Sequence, residues 1–131
     1  YDNKIYFDFN TSVQRYSLQH TIGAASSSNP VWYYITATYN GSNECVLYVN
    51  AEAKTTISNV SGSISATAEA HPITIGTNYA YNSAMARTVL DEVKWYNRAL
   101  SFSEIKRNFK SSKSKHSSTS NWSDDFSDSF I

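Results

Sequence analysis

Apolar and polar residues alternate along several short stretches of the chain, which is the pattern of half-buried β-strands. Residues 4–10 show it best, because Ile5, Phe7 and Phe9 share one strand face. Strand after strand with a single helix near the C-terminus predicts an all-β fold, an antiparallel β-sandwich. The same pattern predicts further strands over residues 14–23, 32–39, 45–49, 54–57, 73–76 and 89–96, with one short strand near Ile64.

The last predicted strand runs directly into a helix with clear start signals. Ser101 and Glu104 form the S-x-x-E capping box, in which each side chain accepts a hydrogen bond from the other residue's backbone N–H. Leu100 and Ile105 occupy the two positions of a hydrophobic staple. Ile105 and Phe109 are four residues apart, so we expect them to share the helix face that contacts the strands. These signals are structural, and none of them is catalytic.

Three motifs of the chain occur in an order and spacing typical of one known family. They are the hairpin of Trp32-Tyr-Tyr-Ile-Thr-Ala-Thr-Tyr-Asn-Gly-Ser42 and Val46-Leu-Tyr-Val-Asn50, the strand His71-Pro-Ile-Thr-Ile-Gly76, and the closing motif Asp91-Glu-Val-Lys-Trp-Tyr-Asn-Arg-Ala-Leu-Ser-Phe-Ser-Glu-Ile105. Together, over residues 30–109, they resemble the laminin-G-like modules of the concanavalin A-like lectin/glucanase superfamily. The resemblance implies a jelly-roll sandwich with one short C-terminal helix. It also places Trp32 and Trp95 at core positions, where we expect both to pack.

The chain differs from this family in two respects. Where the family usually has Asp-Gly in a turn, the chain has Asn50-Ala51. Since a positive φ is unfavourable for Ala, we expect a different turn geometry there. Family members also carry several strands ahead of the position of Trp32, and this chain supplies only two. Missing strands expose backbone edges and apolar surface, so we expect the gap to be filled by the rest of a longer protein, by the C-terminal tail or by a strand of another copy.

Composition divides the chain into three parts. Residues 1–110 form the predicted sandwich, residues 111–120 form a Ser- and Lys-rich linker, and residues 121–131 are aromatic and acidic. The last part is either the opening strand of a further module or a disordered acidic tail. Because the chain begins with Tyr1, we interpret it as a piece of a longer protein.

Composition and charge narrow the classes of function. Acidic and basic side chains are equal in number, 11 of each, which gives no support for a nucleic-acid partner. No apolar run reaches the length of a membrane span and no signal peptide is visible, so membrane insertion is not expected. Four N-x-S/T sequons, at Asn10, Asn40, Asn59 and Asn121, are glycosylation candidates that fit an extracellular or cell-surface protein.

The chain offers little catalytic chemistry. Glucanases of the resembled superfamily carry Glu-x-Asp-x-Glu on one strand, because retaining hydrolysis needs two carboxylates about 5 Å apart. No such run occurs here, and Asp91 and Glu92 are adjacent, so on a strand they point to opposite faces. The lone Cys45 cannot form an internal disulfide, and we interpret it as a small apolar strand residue. We therefore predict no enzymatic activity and no catalytic residues.

Candidate binding residues lie mainly in the loop of residues 76–83. Asn78, Tyr79, Tyr81 and Asn82 supply aromatic rings that stack on sugars and amides that bond to hydroxyls. The alternative is that these tyrosines cover the edge of the sandwich. The resemblance also allows Ca²⁺ at the rim, with Asp91 as a weak candidate ligand and a structural role for Asp91 as the alternative. No other cofactor is predicted.

Two functions fit these observations. The first is a non-catalytic recognition or adhesion module of a larger surface or secreted protein, which binds a glycan or a protein through rim loops. The second is a structural subunit of an extracellular filament or surface assembly, completed by strand exchange between copies. The Tyr- and Asn-rich loop favours the first and the short N-terminal half favours the second, while the fold alone does not choose between them.

Overall fold

The computed structural model describes residues 3–23, 31–64, 73–76 and 89–116, and the backbone of residues 121–122. Mostly antiparallel sheets and one C-terminal helix make up this part of the chain, which agrees with the predicted fold class. In chain order the elements are β1 (Lys4–Asn10), β2 (Arg15–Thr21), β3 (Val31–Trp32), β4 (Ile35–Tyr39), β5 (Cys45–Val49), β6 (Glu52–Ile57), α1 (Phe102–His116) and β7 (Asn121–Trp122).

Strands β1 and β2 form an antiparallel hairpin in which Phe7 lies opposite Leu18. The side chain of Thr11 closes the turn between them. Its Oγ1 accepts hydrogen bonds from the N–H groups of Val13 and Gln14, each at 3.2 Å, and donates to the carbonyl of Gln14 at 3.1 Å. The turn is therefore fixed by a threonine side chain, without glycine or proline in the loop.

Strands β4, β5 and β6 form a second antiparallel sheet with β5 in the centre. Asn50 and Ala51, at φ 52° and 62°, make the β5–β6 turn, and positive φ at both central residues is the pattern of a type I′ hairpin. Our expectation of a different geometry is wrong. Asn50 donates its N–H to the carbonyl of Tyr34 at 2.8 Å and accepts the Tyr34 N–H on Oδ1 at 2.9 Å. These bonds hold the turn against the roughly 1–2 kcal/mol that a positive φ costs Ala.

Side chains of the β1–β2 hairpin, of the three-stranded sheet and of the segment after β6 form the hydrophobic core. Leu18, Cys45 and Leu47 are completely buried, as the alternation of the strands predicts. The position of Cys45 confirms its interpretation as an apolar strand residue, and burial raises the pKa of its thiol to about 11. The cluster consists of Tyr16, Leu18, Cys45, Leu47 and Val60, surrounded by Ile5, Phe7, Phe9, Ala37, Tyr39 and Ile57.

Helix α1 contacts the aromatic side chains next to the β5–β6 turn. The Phe102 ring stacks on Tyr48 with centroids 6.3 Å apart, and the Phe109 ring lies 5.9 Å from Tyr34. Ile105, between these two residues of the helix, has no exposed surface. The helix face predicted from Ile105 and Phe109 therefore packs against the rest of the molecule, as expected.

The start of α1 has the predicted capping box. Ser101 donates its N–H to the Glu104 carboxylate at 2.8 Å, and the Glu104 N–H donates to the Ser101 hydroxyl oxygen at 3.3 Å. Arg98 donates two further hydrogen bonds to the same carboxylate, at 2.6 and 2.8 Å. This guanidinium, followed by the Ser101 N–H, lowers the pKa of Glu104 to about 2. The carboxylate thus joins the closing motif to the helix.

The C-terminal part differs from the sequence prediction in two places. Residues 111–116, which we assigned to a linker, belong to α1, and Ser112 is buried there. Residues 73–76 and 89–96, which we predicted as strands, form no ladder with another described residue. A ladder needs a neighbouring strand in register as well as a suitable pattern, so the pattern of these residues alone does not make one. Beyond the helix, β7 pairs in parallel with β3.

Candidate functional site

Three loops meet at one end of the sandwich and form a polar surface. We call residues 10–14, 40–44 and 58–64 the polar rim. Hydrogen bonds connect the loops: the Ser12 N–H donates to the carbonyl of Ser63, and the Val60 N–H donates to the carbonyl of Asn43, both at 2.9 Å. The β1–β2 turn, the β4–β5 turn and the segment after β6 are therefore one connected surface.

Asn40 determines the shape of the β4–β5 loop. Its Oδ1 accepts hydrogen bonds from the backbone N–H groups of Ser42, Asn43 and Glu44, at 2.9, 3.0 and 3.1 Å. Its Nδ2 donates to the Oδ1 of Asn43 at 3.3 Å. Gly41 takes a φ of 79°, a conformation that suits glycine. One amide side chain thus organises the whole loop and leaves its polar groups facing solvent.

Hydrogen bonds of the core residue Tyr16 hold the third loop of the polar rim, residues 58–64, in place. Its hydroxyl oxygen accepts the Ser61 N–H at 2.7 Å, lies 3.1 Å from the Ser61 hydroxyl and donates to the carbonyl of Asn59 at 3.3 Å. The hydrogen bonds with Ser61 lower the pKa of Tyr16. Gly62 has a φ of 81°, and a Cβ on it would lie 2.7 Å from the Ser12 hydroxyl oxygen. Glycine therefore permits the close approach of this loop to the β1–β2 turn.

The polar rim offers amide and hydroxyl groups with little charge. Glu44 is the single charged residue of the three loops. Amides and hydroxyls both donate and accept hydrogen bonds, as recognition of a hydroxylated ligand such as a sugar requires. The exposed polar side chains of the rim are Asn10, Ser12, Gln14, Asn40, Ser42, Asn43, Glu44, Ser58, Asn59, Ser61 and Ser63, and the exposed side chains of Val13 and Ile64 add apolar surface.

The structure brings three of the four predicted sequons together. Asn10, Asn40 and Asn59 are all exposed and all belong to the polar rim. The backbone of Asn121 lies in β7, and its side chain is outside the described part of the molecule. Glycosylation of these residues stays a prediction.

The predicted glycan loop lies outside the described residues. Asn78, Tyr79, Tyr81 and Asn82 all fall in the undescribed segment after Gly76. Their role in ligand binding therefore also stays a prediction. Gly76 itself has a φ of 76°, so the described chain ends there in a conformation typical of a turn.

Asp91 and Glu92 connect the closing motif to the end of α1. Oδ1 of Asp91 accepts the Glu92 N–H at 2.8 Å, and Oδ2 lies 3.1 Å from Nε2 of His116. The Glu92 carboxylate accepts hydrogen bonds from Lys115 and from the Ser112 hydroxyl, the latter at 2.6 Å. Lys115, followed by Ser112, lowers the pKa of Glu92 to about 2. Both carboxylates thus have structural partners.

The contacts of Asp91 bear on its candidacy as a calcium ligand. Ca²⁺ binds six to eight oxygen ligands, usually including several carboxylates. One oxygen of Asp91 instead contacts the His116 imidazole, and the neighbouring carboxylate of Glu92 is directed to Lys115. In the described ranges no group of three or more His, Cys, Asp or Glu side chains could hold a metal ion. The contacts with His116 and with the Glu92 N–H support the structural alternative for Asp91, and calcium binding stays a prediction.

The two tryptophans assigned to the core differ in environment. Trp32 is partly buried and stacks on the imidazole of His116, with ring centroids 4.5 Å apart. Trp95 is 77% exposed, so the expectation that it packs is wrong for this chain. The physical reason is that no described element covers the Trp95 side chain. Val93, which shares its strand parity, is 64% exposed.

The sequence analysis did not predict that the three loops of the polar rim form one surface. Its loops are far apart in sequence, and only the pairing of β4 with β5 and of β5 with β6 brings the ends of β4 and β6 to one side. A signal was present, because N-x-S sequences begin at Asn40, directly after β4, and at Asn59, two residues after β6. Among the described helices, none is both long and apolar enough to cross a membrane.

Comparisons with known proteins agree with this geometry. Residues 1–106 match a laminin G domain family described as the concanavalin A-like lectin/glucanases superfamily. No curated protein matches the chain. In fold, the chain is similar to a 2.1 Å crystal structure of residues 221–444 of an S-layer domain-containing protein from Clostridium thermocellum, with a TM-score of 0.53 and 21% identity.

That structural match covers 81% of this chain and 51% of the other, so the chain spans about half the length of the protein it matches. At this identity the similarity concerns the fold. The family match extends over most of the sequence, and it confirms the resemblance found in the motifs. The chain therefore belongs to the laminin G-like family of the concanavalin A-like lectin/glucanase superfamily.

Proposed function

We propose that the chain is a non-catalytic recognition or adhesion module of a larger extracellular or cell-surface protein, and that it binds a glycan or a protein through the polar rim. The observation that carries this proposal is the rim itself, with its exposed amides and hydroxyls held in place by Asn40 and Tyr16. A surface with fixed donors and acceptors loses little freedom when it binds a hydroxylated ligand.

An extracellular location is supported by two of the comparisons. The family is that of concanavalin A-like lectins and glucanases, and the fold neighbour is named as an S-layer domain-containing protein. The exposed sequons of Asn10, Asn40 and Asn59 fit the same location. We also propose that the sandwich is a complete jelly-roll.

The proposal that the module is non-catalytic rests on the contacts that engage three of its carboxylates. Retaining hydrolysis needs an acid and a nucleophile about 5 Å apart and free to act. Asp91 and Glu92 are engaged by His116, Ser112 and Lys115, and Glu104 is bound by Arg98. These pairs favour a structural role for each of the three carboxylates.

A glycan array tests the recognition proposal. The chain, produced without glycosylation, is compared with Asn59→Ala, which removes an exposed rim amide, and with Tyr79→Ala and Tyr81→Ala in the predicted loop. Asn97→Ala is the matched control, because Asn97 is an exposed amide outside the rim. We expect a glycan signal that falls in Asn59→Ala and persists in Asn97→Ala. Equal signals for both amide variants would argue against the rim.

A second function, a structural subunit of an extracellular filament or surface assembly, is favoured by a different observation. Val93 and Trp95 expose large apolar surfaces immediately before α1, and exposed apolar surface often marks a protein interface. Light scattering coupled to size-exclusion chromatography tests it. Ordered oligomers would support assembly, and a monomer at every concentration would leave recognition as the single function.

A further inference from the structure

The β4–β5 loop begins with the pair Asn40-Gly41, and both residues are exposed. In an Asn-Gly pair the backbone nitrogen of the glycine can attack Cγ of the asparagine and close a five-membered ring. Glycine hinders this attack least, because it has no side chain. A Cβ on Gly41 would meet no atom within 4 Å, so solvent reaches this part of the loop. Among the described residues, none accepts a hydrogen bond from the Gly41 N–H, so the nucleophile is not engaged elsewhere.

The side-chain carbonyl of Asn40 is surrounded by three backbone donors. The N–H groups of Ser42, Asn43 and Glu44 donate to Oδ1 at 2.9, 3.0 and 3.1 Å. When a nucleophile adds to Cγ, negative charge develops on Oδ1, and donors that already face this atom stabilise the charge without reorganisation. An oxyanion hole places its donors about 2.7–3.1 Å from such an oxygen. The loop therefore provides Asn40 with the donor arrangement of an oxyanion hole.

Two further hydrogen bonds hold the residue on which the attack would take place. Nδ2 of Asn40 donates to Oδ1 of Asn43 at 3.3 Å, and the Asn40 N–H donates to the carbonyl of Glu44 at 3.0 Å. The amide that would react is therefore held at its oxygen and at its nitrogen. A group that is already held in place loses little freedom on the way to the transition state, which lowers the barrier.

We propose that Asn40 is a site of spontaneous deamidation in the folded chain, activated by the hydrogen bonds of its own loop. The Gly41 nitrogen gives up its proton to water and forms a bond to Cγ. The Cγ–Nδ2 bond breaks, and the nitrogen leaves as ammonia after taking a proton from water, so that a succinimide remains. Water then opens the succinimide at Cγ, which gives an aspartate, or at the backbone carbonyl, which gives an isoaspartate. No atom is oxidised or reduced, and water is the single co-reactant.

The aspartate product fits the loop better than the isoaspartate. Its carboxylate would accept the same three N–H groups, and a charged acceptor forms stronger hydrogen bonds than a neutral one. The oxygen that replaces Nδ2 would face Oδ1 of Asn43, so the Asn43 amide has to turn over and donate its N–H instead. An isoaspartate adds a backbone atom and would disrupt these bonds. The reaction therefore gives the polar rim a second negative charge beside that of Glu44.

Peptide mapping by mass spectrometry tests the proposal. The unglycosylated full chain is incubated in mildly alkaline buffer, either folded or unfolded in urea, and the loss of each asparagine is followed with time. In the folded chain Asn40 should convert faster than Asn43, Asn59 and Asn97, which are exposed but precede residues with side chains. We expect Asn40 to convert about tenfold faster or more in the folded chain than in urea, because the three donors are in place only when the loop is folded.

Two substitutions of Ser42 form a matched pair. Ser42→Pro removes one of the three donors, because proline has no backbone N–H, and should slow the conversion of Asn40 in the folded chain but not in urea. Ser42→Ala keeps the donor and should leave the rate unchanged in both states. Asn40→Gln lengthens the side chain, so the five-membered ring cannot form, and this variant identifies the signal that belongs to position 40. Circular dichroism verifies that each variant is folded.

The ratio of the folded rate to the rate in urea decides the outcome, also where Ser42→Pro fails to fold. A ratio well above one supports activation by the loop, and so does slower conversion in folded Ser42→Pro. Equal rates would mean that Asn40 reacts as in any Asn-Gly pair, which would overturn the proposal. Slower conversion in the folded chain would mean that the hydrogen bonds protect Asn40, and this result would overturn it as well.

Discussion

His116 and Asp91 join the last turn of α1 to the closing motif, with Nε2 of the imidazole 3.1 Å from Oδ2 of the carboxylate. The same imidazole stacks on Trp32, with ring centroids 4.5 Å apart. One side chain thus connects β3, α1 and the closing motif. Because residues 111–116 have a Ser- and Lys-rich sequence with little helical amphipathicity, such tertiary contacts explain why the helix extends to this point.

Replacement of His116 by alanine should loosen the end of the helix. Loss of the stacking and of the contact with Asp91 is expected to destabilise the fold by about 1 kcal/mol. Hydrogen exchange should become faster in residues 110–116 and remain unchanged near Ser101, where the cap is independent of His116. His20→Ala, on β2, is the matched control. Unchanged exchange at the helix end would contradict the role given to His116.

Acid should weaken the contact between Glu92 and α1. Hydrogen bonds from Lys115 and Ser112 lower the pKa of Glu92 to about 2 in the folded chain, from an ordinary value of 4.5. Since the folded pKa is the lower one, the contact stabilises the fold above about pH 4.5, and this contribution is lost as the pH falls towards 2. Urea unfolding between pH 6 and about 2 measures the effect.

The Glu92→Gln variant isolates this contribution. Its free energy of unfolding should be lower than that of the wild type at neutral pH, and the difference should shrink as the pH falls. Glu44→Gln, in the polar rim, shows the effect of removing a carboxylate elsewhere. Parallel curves for the wild type and Glu92→Gln would show that Glu92 does not contribute through its ionised form.

Loss of the Tyr16 hydroxyl should detach one loop of the polar rim. Tyr16→Phe removes the acceptor of the Ser61 N–H and the donor to the carbonyl of Asn59. We expect a destabilisation of about 1–3 kcal/mol, because buried groups lose their hydrogen bonds while the ring still fills the core. Faster hydrogen exchange at residues 59–63 would locate the effect. Tyr33→Phe, whose hydroxyl bonds to the carbonyl of Gly23 at 3.4 Å near the surface, is the control.

Cys45 should be unreactive in the folded protein. Its side chain is fully buried and its thiol pKa is raised to about 11, so little thiolate exists at neutral pH. Labelling with a thiol reagent is expected to be slow in buffer and fast in denaturant. Fast labelling under native conditions would mean that the core opens readily around the start of β5, which would contradict the packing described for this sheet.

Local sequence patterns predicted the features that are determined by residues close together in the chain. The alternation at Phe7 and Phe9, the cap of Ser101 and Glu104, and the burial of Cys45 all follow from neighbouring residues. The family could be predicted because its closing motif includes the local cap of Ser101 and Glu104.

Features that depend on distant residues were not predictable in this way. Asn50 and Ala51 adopt the type I′ turn because Tyr34 binds Asn50, and α1 extends to His116 because Asp91 and Trp32 contact it. Trp95 has the pattern of a core residue, yet its burial depends on a partner strand. The polar rim also requires the strand topology, which no single loop sequence contains.

The most direct test of recognition through the polar rim is NMR mapping of a bound ligand. Amide chemical shifts of the unglycosylated chain would be followed during titration with the strongest glycan or protein ligand from array screening. The proposed function predicts saturable shifts concentrated in residues 10–14, 40–44 and 58–64, with small changes elsewhere among the described residues. Saturable binding that shifts other residues and leaves these three loops unchanged would contradict it.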